Sequence, residues 1–425
     1  ANMAPALAAA NQWAHLGERL HPYDCELLMT YRSGRHFLQL PGPTNTPFRL
    51  LQAMARPVID HRGPEFARMT KGILAELQWL FRTQNPVFVY PSSATGAWEA
   101  ALANTLAPGD RVLSFDHGFF AQKWCHVAGR LGLDVRRLPG DWRTPPSPST
   151  VEDLLREDTE RRIRAVLFVH SETSTAVKTD IAAMRKALDR ADHPALLLVD
   201  AVSSLACMEF LHDEWGVDVT VCGSQKGMML PAGLGFTAVS SRALEASKTA
   251  SIPSAYWQWD EMLRFNERGF FPYTPATGLL YGLEEALAML KEEGLGRVIA
   301  RHDRHAEATR RAVEAWGLEI VPCDAAHACS SVTAVLTPDG HDADRFRAVV
   351  LDRFDMSLGK GLGELEGRVF RIGHLGDFND LMLAGTLAGV EMGLSAAGVP
   401  HRTGGAQAAF EYLAREDPTN PGGHP

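Results

Sequence analysis

The 425 residues are 45% hydrophobic and 22% charged, with 42 basic against 51 acidic side chains and a formal net charge of −9. That length supports two or three domains with a sizeable core, and the acidic balance, lacking any lysine-rich run, argues against a nucleic-acid footprint. No eighteen-residue stretch is uninterruptedly apolar, which argues against a membrane-spanning helix.

Ala1 to Ala10 is apolar but has no basic stretch before it and is soon broken by Asn11 and Gln12, so no secretion signal is expected. Residues 1–36 read as a polar, helical arm with a packing role. The six cysteines (Cys25, Cys125, Cys207, Cys222, Cys323, Cys329) are scattered without a CxxC pair. Reduced thiols in a cytoplasmic enzyme fit this usage; a zinc site or disulfide framework does not.

Leu40-Pro41-Gly42-Pro43-Thr44 restricts the backbone and cannot be regular structure. From Pro64 the spacing of Phe66, Met69, Ile73, Leu77 and Leu80 predicts a helix. Val87 to Tyr90 is a strand that breaks at Pro91-Ser92-Ser93-Ala94-Thr95-Gly96 and gives way to a helix through Trp98, Ala101 and Leu102. Strand, small polar residues, helix is a geometry that points N–H groups and hydroxyls at an anion. Simple N-capping by Ser93 or Thr95 explains the same residues equally well.

Strand Arg111–Phe115 leads into His117-Gly118-Phe119-Phe120, where one phenylalanine could offer a flat platform to a ring. Pro139 to Thr150 reads as a surface loop, followed by a helix Val151–Leu155 and a strand Ala165–Val169 that ends in His170-Ser171-Glu172-Thr173-Ser174-Thr175. His-x-Glu has the spacing of a zinc deaminase half-motif, but the Pro-Cys-x-x-Cys partner is missing, so no metal is expected. Helix Ile181–Arg190 precedes the apolar strand Ala195–Asp200, and a second apolar run, Val217–Cys222, ends in Gly223-Ser224-Gln225-Lys226-Gly227. Strand Gly235–Val239 follows. Alternating strands and helices over 65–240 predict a mostly parallel sheet.

The aromatic stretch 251–271 reads as a loop packed on a partner surface. Beyond it, Leu279 to Leu290 is a long helix, and Val298–Trp316, Ala343–Phe354 and Asn379–Ala397 are further helices. Ser331–Leu336 and Val369–Ile372 are strands. Gly359-Lys360-Gly361-Leu362-Gly363 mimics a nucleotide fingerprint without the βαβ context, so flexibility is the better reading. The expected domains are an arm (1–37), a large domain (38–285), a smaller α+β domain (286–400) and a tail (401–425), disordered from Glu416.

One edge of the sheet collects Ser93 and Thr95, Phe120, Thr173, Asp200 and Lys226, all just after strands, where open α/β sheets bind ligands. Singly, such a lysine is usually solvated and such an aspartate only a helix cap. Together they hold what a pyridoxal phosphate site needs: a desolvated amine for a Schiff base, a carboxylate for the pyridine nitrogen, and donors for a phosphate. Arg371 could take a substrate α-carboxylate in a bidentate pair, or be a strand-edge arginine in a surface ion pair.

At these residues the chain resembles the class V aminotransferases of fold type I, especially the serine–glyoxylate and alanine–glyoxylate branch. The carriers are Pro41-Gly42-Pro43-Thr44, Ala94-Thr95-Gly96-Ala97-Trp98-Glu99, His170 to Thr175, Leu198 to Ser204, Gly223-Ser224-Gln225-Lys226, Pro272-Tyr273-Thr274-Pro275 and Phe370 to Gly376. Asp213 to Asp218 and Leu279 to Leu287 lean toward the serine–glyoxylate side. The resemblance spans roughly 38–400 and implies an α/β fold, with a mostly parallel sheet flanked by helices and a smaller C-terminal domain.

By matching motif, the resemblance makes Lys226 the Schiff-base lysine and proton shuttle, and Asp200 the partner of the pyridine nitrogen, with Val202 beneath the ring. Ala94, Thr95, Gly96 and Gln225 would hold the phosphate, Thr173 the 3′-hydroxyl side, and Arg371 the substrate carboxylate with Pro43 and Thr44 beside it. Thr274 would reach the phosphate of a neighbouring subunit, making a homodimer part of the site. Two positions depart from the pattern. Phe120 stands where alanine–glyoxylate relatives stack a tryptophan, and Phe271 where they use a tyrosine, leaving Tyr273 as the substitute.

The implied reaction moves an amino group from a small amino acid, serine foremost, to glyoxylate. Alanine or aspartate as donor (with His61 or Arg62 as a second cation), pyridoxamine with pyruvate, and a cysteine desulfurase using Cys323 or Cys329 remain open. Gln225 and Phe120, where desulfurases carry histidines, weigh against the last.

Overall fold

The computed structural model describes residues 33–415. The expected arm to residue 32, Cys25, and the tail from Glu416 lie outside the described residues. From Phe37 the chain folds as one unit, and its first strand, β1 (Phe37–Gln39), belongs to a sheet otherwise built from the C-terminal third.

Helix Pro64–Phe81 forms where the apolar spacing predicts it. Proline occupies its first turn, Phe66, Ile73, Leu77 and Leu80 are buried, and Arg82 ends it in the left-handed conformation. The large sheet then builds up through β2 (Val87–Ser92), β3 (Arg111–Asp116), β4 (Asp134–Pro139) and β5 (Ile163–Val169). A short hairpin, β6 (Ser171–Glu172) and β7 (Val177–Lys178), stands apart from it. β8 (Leu196–Asp200), β9 (Val219–Gly223) and β10 (Gly233–Val239) complete it.

The strand order is β2-β10-β9-β8-β5-β3-β4. All neighbours are parallel except β10, which runs against both β2 and β9. Two reversals cancel, so β2 points the same way as β9. The C-terminal ends of β2, β3, β5, β8 and β9 therefore share one edge, as the sequence predicts. β8 and β9 are buried along their whole length, the sign of a sheet covered on both faces.

The second sheet has the order β1-β13-β14-β12-β11. It comprises β11 (Glu319–Ile320), β12 (Val332–Leu336), β13 (Met356–Lys360) and β14 (Val369–Gly373), antiparallel except for the β1–β13 pair. Helices Leu295–Trp316, Ala343–Phe354 and Asp380–Ala396 share a core with it through Trp316, Phe346, Phe370 and Leu387.

Four expectations need correction. Gly359 and Lys360 are not flexible loop but lie in β13; a Cβ at Gly359 would sit 2.7 Å from Pro41 Cδ and 3.0 Å from Arg371 Cβ, so this glycine marks a close approach of backbones. The 251–271 stretch contains helix Trp259–Asn266 and packs largely on its own chain. Trp259 is fully buried, stacks on Phe88 at 5.5 Å and donates to Tyr90 Oη at 2.8 Å; of the aromatic side chains in this stretch, Tyr256 alone is exposed. The 139–150 loop yields its end to helix Pro148–Glu157, started by a proline at its first position. The segment after 400 carries helix Gly405–Leu413, tied down by Glu391, which accepts from Gly404 N, Ala406 N and Trp316 Nε1.

Candidate active site

Asp200 ends β8 and Lys226 follows β9, its immediate neighbour. Both are buried, at 3% and 7% exposure. Burial pushes the Lys226 amine down to about 8, and the charge of Arg371 adds to the effect. Burial likewise raises the Asp200 carboxyl to about 7, opposed chiefly by the Val202 N–H, which donates to Oδ1 at 2.7 Å. Trp98 Nε1 donates to Oδ2 at 2.9 Å.

The Lys226 ammonium donates to the Pro41 carbonyl. That contact depends on glycines. Gly42 has φ +102°, and a Cβ there would overlap the Lys226 side chain. Gly373 and Gly359 press on Leu40 and Pro41 from the second sheet, where a side chain would clash. Thr44 is buried, its N–H donating to Gln225 O at 3.2 Å and its hydroxyl to Lys226 O at 3.4 Å, whereas Pro43 is exposed.

Helix Ala94–Ala103 starts at the end of β2 with no side-chain cap. Ala94 is close to Gln225: a Cβ on Gly223 would lie 2.9 Å from Gln225 Oε1 and 3.1 Å from the Ala94 methyl. Gln225 Oε1 is buried without a partner. Helix Phe119–Arg130 presents a second N-terminus at the same edge, but it is already occupied. Glu172, fully buried, accepts from Phe120 N at 3.1 Å and Ala121 N at 3.0 Å, and its other oxygen takes Ser174 N and Oγ at 3.0 and 2.7 Å. A carboxylate on a helix N-terminus satisfies its orphan donors and its dipole together. Of these two helix starts, that at Ala94 carries no side-chain cap among the described residues.

Thr173 and Ser203 share a hydrogen bond between their hydroxyls. Arg371, 6% exposed on β14, donates through Nη1 to Thr173 O and through Nε to Lys360 O, both at 2.8 Å. Its Nη2 has no hydrogen bond among the described residues, and burial pushes the guanidinium down to about 10. Arg371 is thus a buried cation of the site, not a strand-edge residue in a surface ion pair.

The structure brings Val202 to Asp200, Asp200 and Arg371 within electrostatic reach of Lys226, Arg371 to Thr173, and Ala94 to Gln225, while Thr95 and Gly96 sit in the first turn of the Ala94 helix. Phe120 stands at the start of the Glu172-held helix, edge-on to Phe119 at 5.5 Å. Among the described residues no hydrogen bond ties Tyr273 or Thr274 to this group. Tyr273 Oη donates to Val89 O at 3.1 Å while its ring stacks on Tyr256 at 4.5 Å, and Thr274 is exposed. Cys329 is buried, Cys323 exposed, and Arg62 exposed. Trp98, Glu172 and Ser203 are members that sequence reasoning does not single out. Gly118 is a signal for Glu172, since a Cβ there would strike its carboxylate. Among the described residues no cluster of histidine, cysteine and acidic side chains could hold a metal, and no helix is long and apolar enough to cross a membrane.

Comparison with known proteins agrees with this geometry. The serine–glyoxylate aminotransferase of Methylorubrum extorquens is 46% identical over 92% of this chain and 98% of its own length. The L-aspartate–glyoxylate aminotransferase of Paracoccus denitrificans is 44% identical over 89% and 96%. The crystal structure of ureidoglycine–glyoxylate aminotransferase from Bacillus subtilis superposes with a TM-score of 0.84 at 29% identity, covering 91% of this chain and all of that one. Residues 41–359 match the aminotransferase class-V family. With that match and those relatives, the chain belongs to the class-V aminotransferases.

Proposed function

We propose that this enzyme uses pyridoxal 5′-phosphate to move the amino group of a small L-amino acid, serine first, onto glyoxylate, giving glycine and a 2-oxo acid by a ping-pong route. The observation that carries the proposal is the burial of Lys226 and Asp200 at adjacent strand ends beside an uncapped helix N-terminus. These residues fit the cofactor. The amine is shifted toward its neutral form, each Asp200 oxygen accepts a single hydrogen bond among the described residues, and the Gln225 amide, whose Oε1 is buried without a partner there, is not held from turning its NH2 to an anion.

When bound, pyridoxal phosphate supplies an aldehyde for the amine and a ring that withdraws electrons from the substrate α-carbon. Lys226 Nζ, shifted toward its neutral form, would be the amine that holds the cofactor and the base placed to move a proton at the substrate α-carbon. Asp200 would be the carboxylate that keeps the ring nitrogen protonated. Ala94, Thr95, Gly96 and Gln225 would hold the phosphate at the uncapped helix start, where the dipole favours a dianion. Thr173, Val202 and Phe120 would line the place of the ring, Thr173 as a polar contact and Val202 and Phe120 as apolar ones. Arg371 takes the substrate carboxylate through its free Nη2 edge, with Pro43 and Thr44 beside it.

Tyr273 and Thr274 serve a second copy of the chain, so the working unit is a homodimer; the exposure of Thr274 and Tyr256 supports this. We divide the folded part at 285/286, within helix Thr277–Glu293, between the two sheets. A cytoplasmic location rests on the free thiols of Cys125, Cys207, Cys222, Cys323 and Cys329.

Serine is favoured as donor by the relatives named for serine–glyoxylate transfer. A donor panel against glyoxylate tests it, with serine expected to give the highest kcat/KM. A higher value for aspartate or alanine would reassign the donor. Turnover of pyridoxamine with pyruvate, or sulfide release from cysteine, would displace the reaction itself.

A further inference from the structure

Asp200 accepts one N–H at each oxygen, and the two donors differ in kind. Val202 N–H is backbone two residues on and would be present whatever side chain stood there. The other is the Trp98 indole N–H, 2.9 Å from Oδ2, reaching across 102 residues of sequence. Trp98 is 3% exposed, and its ring stacks on Trp124 at 5.8 Å with 14° between planes, so the indole cannot swing away from the carboxylate without breaking that stack. Helix Ala94–Ala103 carries this ring on its second turn and the phosphate-facing N-terminus on its first.

We propose that Trp98 is a positioning residue for Asp200: its indole N–H fixes the plane of the carboxylate and keeps it an anion, so that it can hold the ring nitrogen protonated. This rests on the cofactor reading above and goes beyond it by naming the side chain that makes Asp200 effective. The physical need is plain. A buried carboxylate drifts toward its neutral acid. An indole N–H is a donor that cannot accept, so at Oδ2 it favours the ionised carboxylate, the stronger acceptor, over the neutral acid. Because one helix carries both anchors, a cofactor whose phosphate is seated on Ala94, Thr95 and Gly96 meets Asp200 in a fixed register.

The test compares Trp98→Phe, which keeps a stacking ring and loses the donor, with Trp98→His, which can restore one. In Trp98→Phe the rate of the serine half-reaction should fall ~10- to 100-fold, the loss expected of one hydrogen bond to a buried charge, while KM for serine moves less than about threefold. Cofactor affinity, read by titrating the apoenzyme and following quenching of tryptophan fluorescence, should weaken by about tenfold. Trp98→His should recover part of both. In an Asp200→Asn background, Trp98→Phe should add little, since both changes act through one carboxylate.

Wild-type rates and affinity in Trp98→Phe, or full additivity with Asp200→Asn, would overturn the proposal. If Trp98→Phe does not fold, Trp98→His carries the test: melting with the wild type yet showing no better affinity than Asp200→Asn, it would overturn the proposal, and an affinity between the two would support it. Borohydride reduction and peptide mapping of the wild type separate the two readings. No label on Lys226 sinks the cofactor reading itself; label on Lys226 with an indifferent Trp98 sinks only this inference.

Discussion

Glu172 sets its carboxylate 3.0 Å from the amide nitrogen of Ala121, closing the N-terminus of a helix that begins 53 positions earlier in the chain. The same oxygen holds Phe120 N, so the backbone of the expected ring-covering residue is fixed by a charge fully inside the protein. Glu172→Gln replaces an acceptor with an N–H facing other donors. We expect a loss of about 1–3 kcal/mol in unfolding free energy by urea denaturation, the cost of stranding buried donors. An unchanged midpoint would mean that the helix end is satisfied in some other way.

Lys226→Ala should abolish turnover and remove the absorbance near the visible edge. In the wild type, serine should bleach that band and glyoxylate restore it. Residual exchange in Lys226→Ala above the uncatalysed rate would show that another amine serves.

The rate at which the apoenzyme captures pyridoxal phosphate should follow the neutral fraction of Lys226. With the amine brought down to about 8, deprotonation raises the rate, about fivefold from pH 7 to pH 8 and less than twofold above that. Stopped-flow absorbance checks it. A rate still climbing steeply between pH 9 and pH 10 would place the amine in water, at its ordinary value.

Arg371→Lys keeps a charge but loses the fork that serves Thr173 O and Lys360 O and that would leave an edge for the proposed substrate carboxylate. Carboxylate binding should weaken by about 1.5–3 kcal/mol, read as an increase in KM for serine and glyoxylate alike. If only one substrate were affected, the arginine would not be the shared carboxylate site.

Cys323→Ala and Cys329→Ala should leave transamination unchanged, and neither they nor the wild type should release sulfide from cysteine. Cys329 is buried, with Sγ 3.6 Å from Val332 O. Sulfide production lost in either variant would make the enzyme a desulfurase.

Much of this site is legible in sequence because its members follow strands, and strands announce themselves by apolar runs: Asp200 after Leu196–Val199, Lys226 after Val219–Gly223, Thr173 after Ile163–Val169. Helices with a clean stripe and a cap are equally legible. Ile181–Arg190 is one, with Asp180 accepting from Ala183 N. What escapes a reading of the sequence is whatever depends on contact between distant segments. The Trp98–Asp200 and Glu172–Ala121 bonds span 102 and 51 positions and leave no periodic trace. Gly359 reads as flexibility because a glycine needed for close approach looks, in one dimension, like one needed for a turn. Helix Gly405–Leu413 is hidden for a similar reason, since three donors converging on Glu391 hold it in place.

The backward strand β10 acts as a ruler. Gly235 faces Tyr90 on one side and Gly223 on the other, which sets β9, the strand that leads to Lys226, and β2, the strand that leads to the Ala94 helix, two ladder spacings apart, about 9.5 Å. The mark on the ruler is bare by necessity, for a methyl group at 235 would come within 2.9 Å of Ser93 O and 3.2 Å of Ala97 Cβ. Adding that one carbon would jack the helix off the sheet and lengthen the span a bound molecule has to bridge, with no residue of the chemistry itself altered.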